Sequence, residues 1–201
     1  MNILDAIRDA LPEYARDLRL NLSSALAPLC APGLTVAQIW AVSLAAAAAS
    51  GNSPFTAEIE SLAAAHLDAA HRQAAHAAAA VMAMNNVYYR FAHRVEDAEY
   101  ATLPIRLRMN VIGSPGIARA DFELLSLAVS AINGCVASHE RQVLEHGMGR
   151  EAVQSAVRIA ATVHAVAPVL KNTQTAATAR DARRVARPPP RAAGGGPAFR
   201  I

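Results

Sequence analysis

Aromatic residues are scarce, at 4% of the chain. Strand-rich domains draw on aromatic and β-branched side chains, so this shortage argues against a β-sandwich or barrel. Cysteine is scarcer still, with Cys30 and Cys135 the only two. Two cysteines cannot supply the several disulfides that hold a small secreted scaffold together. Long hydrophobic runs are missing as well. The most apolar stretches, such as Ala41–Ala49, fall far short of the roughly 20 residues of a membrane span. The initial segment MNILDAIRDALPEY is amphipathic and acidic, without the basic start and apolar centre of a signal peptide. These absences lead us to expect a soluble cytoplasmic protein with no membrane partner. No glycine-rich phosphate loop and no Gly-x-Ser-x-Gly elbow occurs either.

What fills the chain instead is alanine. Hydrophobic residues make up 53% of the 201 residues, and many of them are Ala, the strongest helix former. Small side chains let helices approach closely. The expectation is an all-α protein, a compact multi-helix bundle with one core.

The helical period is readable along most of the length. Leu11, Ala15, Leu18 and Leu22 recur at helical spacing, with a break near Ala10 because Pro12 suits a first turn. Thr35 is placed to cap a helix over Val36–Ala49, with Gly51 beyond its end. Ser53-Pro54 opens the next helix, to about His66, and Asp68 caps a long one from about Ala69 to His93. After the turn at Gly113-Ser114-Pro115-Gly116, a helix is expected over Arg119–Ile132. Asn133-Gly134 breaks it. A further helix follows to about His146, and a last one covers about Arg150 to Ala165, stopping short of Pro168.

Charge divides the chain in two. Residues 172–201 hold six Arg and one Asp, leaving 13 basic and 15 acidic residues on 1–171, a net of −2. The helical domain is therefore expected over 1–171. An Arg/Pro/Gly-rich tail over 172–201 is expected to be disordered, since its composition buries little apolar surface. No aromatic interleaving accompanies its arginines, so nucleic acid is not an expected partner.

Seven histidines raise the question of a metal. His66, His71 and His76 are five apart, and five residues turn about 140° on a helix, so they share no face. Solvated helix histidines are the expectation, and no metal. One constellation does carry chemistry: Glu123-x11-Cys135-x3-His139-Glu140. Cys135 and His139 stack on one face if helical. Cys135 also falls just after the Gly134 break, where free amide groups and the helix dipole favour a thiolate. A thiolate attacks peroxide oxygen and becomes a sulfenic acid, and Glu123 is a candidate proton acceptor. The same residues also allow an inert buried cysteine beside a solvent-facing His139-Glu140 pair. On one continuous helix Glu123 and Cys135 would stand about 18 Å apart. Contact requires the chain to turn back at Asn133-Gly134, and a bridging water or a neighbouring subunit is still expected to be needed.

Several blocks resemble the alkyl hydroperoxidase D family: Leu11–Ser24 (LPEYARDLRLNLSS), Met82–Arg90 (MAMNNVYYR), Leu107–Ile117 (LRMNVIGSPGI) and Phe122–Glu140 (FELLSLAVSAINGCVASHE). The resemblance covers about residues 1–170. It implies a fold like that of the carboxymuconolactone decarboxylase group and assembly as a homotrimer. It implies reduction of alkyl hydroperoxides through a Cys-x-x-Cys pair, with no bound cofactor. The implied electron donor is a dihydrolipoyl group on the acyltransferase of a dehydrogenase complex, and the implied partner is a peroxiredoxin, alkyl hydroperoxide reductase C. Glu123 and His139 match the family's proton relay, and Cys135 its redox cysteine. The departure is in the pair itself. The family runs Ile-Asn-Gly-Cys-x-x-Cys-x-x-x-His, whereas Ile132-Asn133-Gly134-Cys135-Val136-Ala137-Ser138-His139 is three residues shorter. Cys135 matches the first cysteine counted from Gly134 and the second counted back from His139; the latter keeps the Cys-x3-His register and is preferred. The loss removes about 4.5 Å of helical rise, which is expected to keep the facing of His139 and shift its reach toward Glu123. Cys30, in a Pro-rich loop, is no obvious substitute. A peroxidase is the first expectation; a catalytically impaired trimeric relative with a binding or structural role is the second.

Overall fold

A computed structural model describes residues 3–134 and 137–185. The helices are α1 (Ile3–Asp9), α2 (Arg16–Ala25), α3 (Val36–Ala49), α4 (Ser53–Ala63), α5 (Ala69–Arg94), α6 (Asn110–Gly113), α7 (Arg119–Ile132), α8 (Ala137–Glu145) and α9 (Arg150–Val185). Single 3-10 turns lie at Glu13–Ala15, Pro28–Cys30 and Ala98–Ala101. No strand occurs among the described residues. The all-α bundle expected from alanine content is the observed fold.

Helix starts follow from side-chain caps. Thr35 accepts from the Gln38 amide while the Gln38 side chain accepts from the Thr35 amide, a complete capping box for α3. Asn52 caps α4 through the Phe55 amide, and Asp68 caps α5 through the His71 amide at 2.8 Å. The expected bounds of α3 and α7 match, and α5 ends one residue later than expected. α4 ends at Ala63, three residues early, because a turn carries the chain into the Asp68 cap.

α3 lies at the centre, packed by α4, α5, α7 and α9. Ile39, Ala41, Val42, Leu44, Ala45, Ala46 and Ala47 are buried on successive positions, so it is apolar on nearly every side. α7 is almost as enclosed: every residue from Phe122 to Ser130 is buried. Alanines 74, 75 and 78 of α5 and 156, 160 and 167 of α9 complete the contacts. Gly33, at φ +79°, sets the loop before α3 against the start of α9; a Cβ there would lie 2.7 Å from the Ala152 amide nitrogen. Beside it Ser155 donates to the Pro32 carbonyl at 2.9 Å.

The last helix corrects the sequence-based expectation. α9 does not stop near Ala165; it runs through Pro168 to Val185. A proline inside a helix removes one backbone bond and costs about 3 kcal/mol. Here packing offsets it, because Val166, Ala167 and Leu170 on either side are buried. Asn52 Nδ2 donates to the Ala167 carbonyl at 2.8 Å, and Ser50 Oγ meets His164 Nδ1 at 3.0 Å, so the α3–α4 junction grips α9 around the proline. Residues 172–185, assigned from composition to an irregular tail, form the last turns of α9. They lean on helix propensity, since Asn172, Gln174, Thr175, Ala176 and Thr178 are exposed. The remainder of that tail, 186–201, lies outside the described residues. Contrary to the expectation that no stretch approaches a membrane span, Arg150–Ala176 is long and apolar enough to cross one by length and composition. Its apolar face is instead spent inside the bundle, where Ala152, Ala156, Ile159, Ala160 and Val163 are buried.

Candidate functional site

α7 delivers a carboxylate into the interior. Glu123 is 1% exposed, between Phe122 and Leu124. An isolated buried carboxylate is costly, so it must be charge-paired and hydrogen-bonded. Three side chains meet that need. Arg119, one turn earlier on α7, donates from Nε to Oε1 at 2.9 Å. His139 of α8 lies with Nδ1 3.1 Å from Oε2. The Gln142 amide nitrogen, turned toward the carboxylate because its oxygen would otherwise face only acceptors, donates to Oε1 and Oε2 at 2.8 and 2.7 Å.

The turn after α7 makes this meeting possible. Gly134 takes φ +72°, a left-handed conformation natural to glycine, and sends α8 back along α7. His139 and Glu123 therefore touch directly within one chain. The expectation of a bridging water or a neighbouring subunit concerns Glu123 and Cys135, and Cys135 lies outside the described residues. The three-residue shortening leaves Glu123 and His139 in hydrogen-bonding contact. The solvent-facing His139-Glu140 pair is likewise not what forms: His139 is 7% exposed, while Glu140 faces outward.

Burial pushes the Glu123 carboxyl up, but the hydrogen bond and charge of His139, then those of Arg119, outweigh it and hold the group below its ordinary value. Glu123 is thus an anion in the neutral range, and an anion accepts only. The shared proton must sit on Nδ1 of His139. In the neutral ring that leaves Nε2 as the nitrogen that gains or loses a proton.

Arg119 and Gln142 escaped the sequence reasoning. The signal was present: Arg119 is four residues before Glu123, and Gln142 is three after His139, both same-face spacings on helices. The other candidates disperse. His66 stacks on Trp40 with centroids 5.5 Å apart, His71 bonds Asp68 at 2.8 Å, and His76 meets Glu60 at 3.4 Å. Cys30 is exposed in the Pro28–Cys30 turn.

A helical bundle with a buried, histidine-paired glutamate is consistent with a match to the carboxymuconolactone decarboxylase family, which covers residues 98–179. More specific relatives span most of the chain. The alkyl hydroperoxide reductase AhpD of Rhodospirillum centenum is 50% identical over 170 residues, covering 83% of this chain and 90% of its own. Those of Anaeromyxobacter sp. and Maricaulis maris are each 51% identical, covering 85% and 83% of this chain and 92% and 96% of theirs. The chain belongs to the alkyl hydroperoxide reductase AhpD family.

Proposed function

We propose that this protein reduces alkyl hydroperoxides through Cys135, with Glu123 and His139 as its proton relay. The observation that carries this is the Glu123–His139 hydrogen bond: a buried anion fixes the imidazole with Nε2 as its exchangeable site. In the reaction, the Cys135 thiolate attacks one peroxide oxygen. A sulfur–oxygen bond forms and the oxygen–oxygen bond breaks. Sulfur is oxidised to the sulfenic acid, and the leaving alkoxide takes a proton from protonated His139 to become the alcohol. Glu123 orients the imidazole through Nδ1, and Arg119 and Gln142 hold Glu123 in place.

Turnover then needs two electrons. With a single cysteine between Gly134 and His139, no disulfide closes within the motif. A dihydrolipoyl group, carried by the acyltransferase of a dehydrogenase complex, supplies the reductant. One of its thiols displaces water from the sulfenic acid to form a mixed disulfide. Its second thiol releases Cys135 and closes the lipoyl disulfide. A cytoplasmic homotrimer working beside a peroxiredoxin of the alkyl hydroperoxide reductase C type fits this reading.

The experiment is a comparison of two chains. Dihydrolipoamide-dependent consumption of an alkyl hydroperoxide is measured for the parent and for a variant with Cys-Gly-Ala inserted between Gly134 and Cys135, which restores Cys-x-x-Cys-x3-His. Weak turnover in the parent and much faster turnover in the insertion variant are expected. Rapid parent turnover that the insertion leaves unchanged would overturn the one-cysteine cycle. No consumption by either would favour a non-catalytic trimeric relative.

A further inference from the structure

The Glu123 face of α7 carries more than the glutamate. Ser126 and Ser130 follow at three and seven residues, which on a helix forms a polar stripe running toward Gly134. Both are enclosed: Ser126 is 1% exposed and Ser130 0%. Opposite Ser130 on α5 sits Asn86, also 1% exposed, and Ser130 Oγ donates to its Oδ1 at 3.1 Å. Asn86 lies in the block Met82–Arg90, to which neither the core nor the relay gives a role for an amide.

This cluster is incomplete. Asn86 Nδ2 and Ser126 Oγ are both buried without a hydrogen-bonding partner. Turning the Asn86 amide does not help, since one of its two polar atoms is then still left over. Each orphaned group carries a desolvation cost that alanine or leucine at the same place would not. Ser126 is one helical turn from Ser130, so its hydroxyl and the Asn86 amide border the same stretch of the α5–α7 interface. Buried water characteristically takes up such leftovers, making two to four bonds to polar groups.

We propose that Asn86, Ser126 and Ser130 enclose a structural water, and that this water extends the Glu123 network along α7 as a second arm of the proton relay. Asn86 donates to it and Ser126 bonds it from the opposite helix. Ser130 orients the amide. The three are positioning residues: they set the protonation balance of Glu123 and His139 without touching the hydroperoxide. The functional half of the inference rests on the peroxidase reading; the water itself does not.

Two measurements separate these. A high-resolution crystal structure of the full chain is expected to show one ordered water within hydrogen-bonding distance of Ser126 Oγ and the Asn86 amide. A dry contact between them overturns the proposal whatever the activity. Kinetics use the full chain carrying Cys30→Ser, so that Cys135 is the sole thiol. The rate of sulfenic acid formation with an alkyl hydroperoxide is followed against pH. Ser126→Ala removes one oxygen from the core and is expected to slow the step about tenfold and displace its pH profile, less than the loss of a full acid–base group. Asn86→Leu is expected to do the same, and Ser126→Ala decides the matter if Asn86→Leu does not fold. A lower Tm with an unchanged pH profile in Ser126→Ala overturns the relay role. If Glu123→Gln alters the profile and Ser126→Ala does not, the second arm alone fails. If Glu123→Gln changes nothing, the peroxidase reading falls and the relay role with it.

Discussion

Nδ1 of His139 stands 3.1 Å from Oε2 of Glu123, across sixteen residues of sequence and inside one chain. The acid–base pair is therefore formed by folding alone, before any partner arrives. Its stability consequence has a definite sign. The Glu123 carboxyl is held below its ordinary 4.5, so it contributes stability above that value and loses it as pH falls through the lower, folded one. Thermal melting should show the native chain losing more Tm than Glu123→Gln between neutral pH and the region below 4.5. Parallel Tm losses in both proteins would count against an ionised, paired Glu123.

Between the two thiols, Cys135 should be oxidised first. In the sequence it directly follows Gly134 and precedes His139 by four residues, whereas Cys30 is an exposed residue of a short 3-10 turn. Limited peroxide with a sulfenic-acid trap, read by mass spectrometry, should label Cys135 on the order of tenfold faster. Preferential labelling of Cys30 would refute the assignment of the redox centre.

Gly33→Ala should be among the most damaging single-methyl additions. The new Cβ meets the Ala152 backbone at 2.7 Å, and φ +79° is strained for any L side chain. A loss of about 1–3 kcal/mol is expected, seen as a Tm lower by roughly 2–12 °C for a chain of this size. Gly51→Ala shares the positive φ but meets nothing within 4 Å, and so should cost less.

Ending the chain after Lys171 should leave the bundle nearly as stable as before. Beyond that point Asn172, Gln174, Thr175, Ala176 and Thr178 are exposed, and among the described residues the last core residue of α9 is Leu170. The expected change in Tm is within about 2 °C, the scale of a surface alteration. A loss of many degrees would mean that the exposed turns hold the domain together.

Caps and breakers made most of the fold legible. Thr35, Asp68, Gly51 and the Asn133-Gly134 break act locally, so their effect is visible without knowing the packing. Pro168 was misleading for the opposite reason: its local penalty is overridden by contacts from Asn52 and Ser50, more than a hundred residues away. The candidate site divides the same way. Glu123 and His139 stood out by residue type and spacing. Their direct contact was not readable, because it depends on how far α8 folds back over α7. Arg119 and Gln142 carry no such mark, because what recruits them is the buried anion between them.

The alanine-packed interior gives this protein an unusual mutational asymmetry. Positions such as Ala45, Ala46, Ala75, Ala78, Ala156 and Ala160 are fully enclosed, and an alanine can be trimmed only to glycine. Nearly every coding change there adds atoms to a space already filled at crystal-like density. Random drift in these helices thus threatens the fold by crowding far more than by hollowing it out. Tolerance should return wherever two facing helices can move apart together.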